Sequence, residues 1–325
     1  VLFRSEVFMY PVSGILKLWH LLFASFLDES MAWLVAIVFL VLTVRSFIAP
    51  LNWLSVRSGR ISALMRPEAN AIKARLDAAT TVEEAVAALQ DQKELHERYK
   101  YNPLVGCLPV FIIVPFFLGL YQVVLRASRI GQVDHVGLLT PGDVTSFRAA
   151  LLNGVPITDF ARDHRDLVVP ILVLAIGFTI LNMIITQYRS FLTLQFDEKV
   201  PRRMFWFMFS MIILMPWILW SAAMSGPIPV AIIFYWAWTY LYTLVQTLVY
   251  EYIMYRRYPL TDAVTQLRRD SFRAWRNKDT KKNNNPEGLS KEDLRAKRKH
   301  HAQILGEARK QIRLNSQQAA QKEAE

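Results

Sequence analysis

Residues 31–54 read MAWLVAIVFLVLTVRSFIAPLNWL. From Met31 to Pro50 this run carries one formal charge, Arg45. About 20 apolar residues are enough to cross the hydrocarbon of a bilayer as a helix. A charge at membrane depth costs ~2.5–3.5 kcal/mol on insertion scales and more in simulation. Two readings of Arg45 follow. It lies about six residues, or ~9 Å along a helix, from the end of the run, so its side chain can snorkel to the interface. Alternatively it serves a function inside the membrane.

The rest of the chain repeats the pattern. Of 325 residues, 53% are hydrophobic, and charge is concentrated outside a few long apolar blocks. That distribution excludes a soluble domain and points to a polytopic membrane protein. Five segments are long enough to span: Ala32–Leu51, Leu104–Leu125, Leu167–Gln187, Met204–Met224 and Pro227–Tyr250. Ser225-Gly226 alone separates the last two, so they form a tight hairpin. Tyr10–Phe26 is shorter and carries Lys17, Trp19 and His20, which suits an interfacial helix within residues 10–30. Val1–Ser5 can be encoded by a stretch resembling a sequencing-adapter end. Residues 1–8 are therefore expected to be foreign, with Met9 as the start.

Lys and Arg in short loops set orientation. Residues 52–102 hold eight, residues 188–203 hold four, and the tail is strongly basic. In residues 127–166 four Lys+Arg are balanced by five Asp. The expectation is five spans with the N-terminus outside and the C-terminus inside a bacterial plasma membrane. The domain plan is span one at 31–54, a cytoplasmic helical hairpin at 55–101, span two at 104–126 and an outer loop at 127–166. Span three at 167–187, an inner loop at 188–203, spans four and five at 204–224 and 227–250, and a basic tail at 255–325 complete it.

Residues 55–101 are rich in helix formers and divide at Asp77–Thr81. Thr80-x-x-Glu83 and Thr81-x-x-Glu84 both fit a capping box restarting a helix. Ile61, Leu64, Met65, Ile72 and Leu76 give one apolar stripe; Val82, Val86, Leu89, Leu95 and Tyr99 give another. Two antiparallel amphipathic helices follow.

The second span opens Asn102-Pro103-Leu104-Val105-Gly106-Cys107-Leu108-Pro109 and continues VFIIVPFFLGLY, with Pro115 inside. This stretch resembles the NPLxGCLPxxxQxPxxxxLY signature of the YidC/Oxa1/Alb3 membrane protein insertases. Thr43–Leu51 is similar to the stretch preceding that family's cytoplasmic hairpin. Tyr10-Pro11-Val12-Ser13 and Trp19-His20 resemble the opening of its actinobacterial members. The resemblance covers about Tyr10 to Tyr258. It implies an all-α polytopic fold with five transmembrane helices, an N-terminal interfacial helix, a cytoplasmic helical hairpin and a basic C-terminal tail. It also implies an insertase and chaperone that moves short polar tails of nascent membrane proteins across the bilayer. Such proteins hold an arginine in a hydrophilic groove open to cytosol and lipid, and Arg45 matches it by position. Trp236 matches an aromatic position that contacts substrate in the family.

Two departures bear on the groove. Val41 stands where the family has Thr, and Thr43, a partial substitute, points to another face. Ile113 and Val114 stand where a Gln precedes the inner proline. Further groove candidates are Asn182 and Gln187, although polar residues in spans, Gln246 included, more often bond a neighbouring helix than touch substrate. Cys107 has no partner thiol and reads as a packing residue.

Residues 255–325 hold 18 of the 38 Lys+Arg and 9 of the 27 Asp+Glu. Arg268, Arg269, Arg273, Arg276, Lys281 and Lys282 lie in the first part of the tail. Lys297, Arg298 and Lys299 lie in a second charged helical stretch that begins at Ser290-x-x-Asp293. Such clusters bind phosphate irrespective of sequence, as anionic lipid or as ribosomal RNA. The resemblance favours the ribosome, with the Sec translocon as a further partner. The chain has no G-x-x-x-x-G-K-[ST] phosphate loop, and no metal, cofactor or small-molecule substrate is expected. A secondary transporter or channel is the alternative, but none of the five spans contains an acidic residue and five is awkward for a two-fold repeat. An intramembrane enzyme would need a serine–base pair, a carboxylate pair or a metal cluster, which the spans lack.

Overall fold

The computed structural model describes residues 9–102, 108–128, 135–277 and 290–324. It is all-α apart from one small hairpin. In chain order the helices are α1 (Met9–Phe23), α2 (Glu29–Ala78), α3 (Val82–Arg98), α4 (Leu108–Ser128) and α5 (Pro141–Ala149). There follow strands β1 (Leu151–Leu152) and β2 (Val155–Pro156), then α6 (Arg165–Leu192), α7 (Lys199–Ser225), α8 (Val230–Arg257), α9 (Asp262–Arg276) and α10 (Lys291–Ala324). Among the described residues, α2, α6, α7 and α8 are long and apolar enough to cross a membrane. Helix α4, 21 residues with Pro115 inside, occupies most of the remaining expected span.

Helix α2 differs from expectation in one respect. The first span and the first arm of the hairpin form one 50-residue helix. Apart from Gly59 and Pro67, residues 55–78 offer little that would stop a helix, and the break comes only before Thr80-Thr81. There a capping box starts α3, with the Thr81 hydroxyl accepting from the Glu84 amide while the Glu84 carboxylate reaches back to the Thr81 amide. Hydrogen bonds from the Thr80 and Thr81 amides hold the Glu84 carboxyl below its usual range.

The chain divides into two compact units. One contains the second half of α2 with α3, residues 191–204, α9 and α10. In it α3 packs antiparallel to α2, since Arg75 pairs with Asp91 at 2.6 Å and Arg98 with Glu68 at 3.1 Å. The 191–204 segment is tied to the same stretch of α2. Arg66 donates to the Thr193 carbonyl, and Lys73 bonds Glu198 at 2.9 Å. Burial lowers the pKa of Arg66, while the bond to Glu198 raises that of Lys73.

The other unit contains α1, the first half of α2, α4, α5, α6 and most of α7 and α8. Its core is built around Trp33, which is fully buried. The Trp33 ring stacks on His20 at 3.7 Å, meets Phe147 edge-on at 5.1 Å, and its indole N–H donates to the Ser146 hydroxyl at 2.7 Å. Glu29 bonds both His20 and Ser146. Residues 135–166, expected only as a loop, fold into a plate within this unit. Asn153 and Gly154 both have positive φ, 51° and 84°, and turn β1 into β2. The chain after β2 then pairs with the start of α8: Ala161 N–H donates to Ile228, Val230 to Asp159 and Ala231 to Ile157, at 2.8–2.9 Å.

The plate holds α1 by a close approach. Gly137 has φ 62°, and a Cβ there would collide with the Ser13 hydroxyl. That hydroxyl accepts from the Leu138 amide at 2.9 Å. Nearby, Lys17 pairs with Asp143 at 2.7 Å. Burial pushes the Asp143 carboxyl up, but Lys17 and the Thr140 amide and hydroxyl outweigh it and hold the carboxyl below its usual range. Gly137→Ala therefore meets both backbone strain and a clash, with an expected cost of about 2–4 kcal/mol and release of α1. Gly154→Ala has open space around its Cβ and carries the backbone strain alone, about 1 kcal/mol. Hydrogen exchange across Met9–Phe23 checks this: the first variant should lose protection and the second should keep it.

Candidate functional site

The groove candidates lie along the middle of α2 and the C-terminal parts of α6 and α8, three helices that run in the same sense. From α2 to α8, Ser46 meets Tyr242 at 3.2 Å, Asn52 meets Gln246 at 3.4 Å, and Trp53 packs on Tyr250 at 5.3 Å. Both residue numbers rise together, so the helices are parallel. From α6 to α8, Thr247 donates to Asn182 at 2.6 Å and Arg189 pairs with Glu251 at 2.9 Å, again in step. The Tyr250 hydroxyl accepts from Gln246 and donates to the Ala49 carbonyl, beside Pro50, at 2.7 Å. These contacts form a continuous polar seam. In a span each such group needs a protein partner because hydrocarbon offers none.

Arg45 sits at the head of this seam. It is half-buried. Among the described residues no side chain or carbonyl makes a hydrogen bond or ion pair with it. The Tyr240 hydroxyl lies within its electrostatic reach. On the same helix Val41, one turn before it, and Ile48, one turn after it, are both buried. The cation thus has an apolar turn on either side and, among the described residues, no counter-ion.

The other expected site residues are placed as follows. Thr43 turns away from the seam, accepting from the Trp19 indole at 2.9 Å and donating to the Phe39 carbonyl. It anchors α1 to α2. Trp236 is buried in the apolar core with Ile233 and Leu219. Asn182 joins the seam through Thr247. Gln187 is buried and donates to the Phe205 carbonyl at 2.8 Å, linking α6 to α7. Asn102 is exposed, and its carbonyl accepts from Ser58 at 3.3 Å. Pro109 and Pro115 fall within α4. Pro103, Gly106, Cys107, Lys281 and Lys282 lie outside the described residues. Arg268, Arg269, Arg273 and Arg276 are on α9, where the Arg268 guanidinium lies 5.2 Å from the Phe191 ring centroid. Lys297, Arg298 and Lys299 are on α10.

Sequence reasoning missed Glu251, because the fifth span was ended at Tyr250. Helix α8 continues to Arg257 and carries Glu251 into register with Arg189. An acid directly after an apolar run, with a cation at the same depth on another span, was the available signal. Tyr242 and Tyr250 carry no separate signal in the sequence, and Gln246 reads there only as one more polar residue in a span.

Fold and seam define a class: a polytopic all-α membrane protein whose parallel helices share a polar seam beside an arginine that is unpaired among the described residues. The model of the 60Kd inner membrane protein family matches residues 24–257. A relative from Corynebacterium glutamicum named membrane protein insertase YidC is 36% identical over 280 residues, 79% of this chain and 66% of its own length. One of the same name from Corynebacterium efficiens is 34% identical over 284 residues, 79% of this chain and 70% of its own. A third, from Mycobacterium tuberculosis, is 30% identical over 181 residues, about half of each chain. The chain belongs to the 60Kd inner membrane protein family, the family of the YidC membrane protein insertases.

Glu251→Ala leaves Arg189 without its counter-charge, at an expected cost of about 1–3 kcal/mol. Removing both partners should cost less than the sum of the single changes. A double-mutant cycle on thermal unfolding in detergent measures this, and a coupling near zero would mean the pair does not tie α6 to α8.

Proposed function

We propose that this chain is a membrane protein insertase of the bacterial plasma membrane, with five spans, its N-terminus outside and its C-terminus inside. Its clients are nascent membrane proteins with short polar tails to be moved across. The observation that carries the reading is Arg45: a half-buried cation, without a counter-ion among the described residues, at the head of a polar seam. An ionisable residue inside a span is a functional-site candidate by default, and the adjoining polar seam favours that reading over snorkelling.

The physical task is to move polar groups through hydrocarbon, where each unpaired backbone amide costs several kcal/mol. A wet groove reaching from the cytosol to the depth of Arg45 shortens the apolar barrier. The guanidinium attracts an acidic tail more strongly there than in bulk water, because the surroundings screen it less. The opposite end of the bundle is closed by apolar packing, with Trp33, Phe147 and Ile157 fully buried. The tail therefore waits in a one-sided cavity until its apolar segment partitions laterally into lipid and draws it across. The transfer of that segment supplies the free energy. The basic tail serves docking of the ribosome through RNA phosphates, beside the Sec translocon for some clients.

Arg45→Ala should lower insertion of clients with acidic translocated tails about tenfold, the worth of one charge-assisted contact of about 1.5 kcal/mol. Arg45→Lys should keep most of the activity, because a long cation remains. Site-specific photocrosslinkers at Arg45, Met215 and Trp236, read during translation of a single-span client, give the direct test. Insertion that proceeds with no crosslink from any of the three would rule the groove out.

A further inference from the structure

Helix α10 is not a free arm. It packs on α3 in the unit that holds the hairpin. Ile304 and Ala308 are buried with Ala79 and Ala85, and Leu76, Val82, Val86, Leu89 and Leu305 close around them. His301 donates from Nε2 to the Leu76 carbonyl at 3.0 Å. That carbonyl belongs to the last turn of α2, where it also accepts from the Ala79 amide at 3.3 Å. The hairpin tip thus offers α10 a small-residue hollow, a rim of aliphatic side chains and one specific hydrogen bond.

This seating has a consequence for the cations of α10. At 100° per residue, positions 301, 304, 305 and 308 share one face. Arg295, Lys299, Arg309, Lys310 and Arg313 sit roughly 90–190° away from its centre. All five are exposed. They form a stripe about 27 Å long on the side turned away from the hairpin. A helix that lies on a membrane must leave its apolar face free to enter the headgroup region. Here the apolar face is already occupied by protein. Helix α9 differs in degree: Phe272 and Trp275 pack on Phe196 yet remain partly exposed among its arginines.

We propose that the hairpin tip is a docking seat for the C-terminal helix, one that occupies its apolar face and holds its basic stripe out towards a polyanion in water, namely RNA. The partner half rests on the reading of the tail as a ribosome-binding element; the seat does not. The hairpin is then neither a spacer nor a client-binding arm alone. Its acidic α3, with Glu83, Glu84, Asp91, Glu94 and Glu97, also favours a basic helix beside it.

The test uses the full chain in nanodiscs of neutral lipid. In a Cys107→Ser background, Ala85→Cys with Ala308→Cys reports the seat by oxidative crosslinking. Ala308→Gln and Ala85→Gln block the seat without changing any charge. The expected results are an efficient intramolecular crosslink, about tenfold weaker binding of 70S ribosomes by either Gln variant, and stronger binding of both variants to phosphatidylglycerol vesicles. Absence of the crosslink overturns the seat. Undiminished ribosome binding by the Gln variants overturns its role in presenting the stripe. Vesicle binding that falls on blocking the seat would make lipid the partner and refute the RNA assignment. A crosslink formed in a chain that does not bind ribosomes at all upholds the seat and defeats the ribosome reading, so the two failures are separable.

Discussion

Hydrocarbon provides no hydrogen-bond partner, and the spans of this protein are organised around that constraint. Polar side chains in α2, α6 and α8 are spent on one another: Ser46 on Tyr242, Asn52 on Gln246, Asn182 on Thr247, Arg189 on Glu251. Tyr250 closes the carbonyl of Ala49, next to Pro50. Each bond is worth little by itself. Together they fix three parallel helices in register, because slipping one helix by a residue would orphan several groups at once. Among the described residues the buried Thr239 hydroxyl and Arg45 go unpaired in these spans, and of the two Arg45 carries the charge, which makes it informative. A snorkelling cation needs no polar seam beside it, whereas a cation serving a hydrated groove does.

The two ends of this unit solve the same problem differently. Around Trp33 the polar atoms are few, and His20, Glu29 and Ser146 join in a small network at the edge of the apolar packing, with Glu29 exposed to solvent. Backbone pairing of residues 157–161 with residues 228–231 adds rigidity of the kind sheets have. Helix α7 is the opposite case. Trp206, Phe207, Ile213 and Trp217 are all more than half exposed, so much of its surface must be matched by lipid. A rigid closed end and a lipid-facing flank are what a one-sided, laterally open path requires.

How much of this could be read from residue order depends on the range of the interactions. The all-α class and the apolar spans were legible, since they need only local composition and length. So was the capping box at Thr81, whose two partners lie three residues apart. The plate of residues 135–166 was not, because it is held by Ser13 against Gly137 and Lys17 against Asp143, more than 120 residues apart in sequence. The Asn153-Gly154 pair did carry a readable hairpin signal, but with two-residue strands the pattern around it is too short to find. At the site, Arg45 stood out by charge alone. Its surroundings did not, because Tyr242, Gln246, Tyr250 and Glu251 acquire meaning only from which helix each one faces.

The same distinction explains why the tail misleads when read by composition. Residues 255–325 look like one basic segment, yet α9 and α10 differ in the fate of their apolar faces. On α9, Ser271 accepts the Phe196 amide and the Phe196 ring packs on one side of Phe272 and Trp275, while over a third of each of those two side chains stays exposed beside arginines. On α10, the apolar side is buried and the exposed side is ionic. Charge counts cannot separate a helix that seeks a lipid surface from one that avoids it, since both need cations. What separates them is whether an apolar stripe remains available, and that is decided by the hairpin, some 200 residues earlier in the chain.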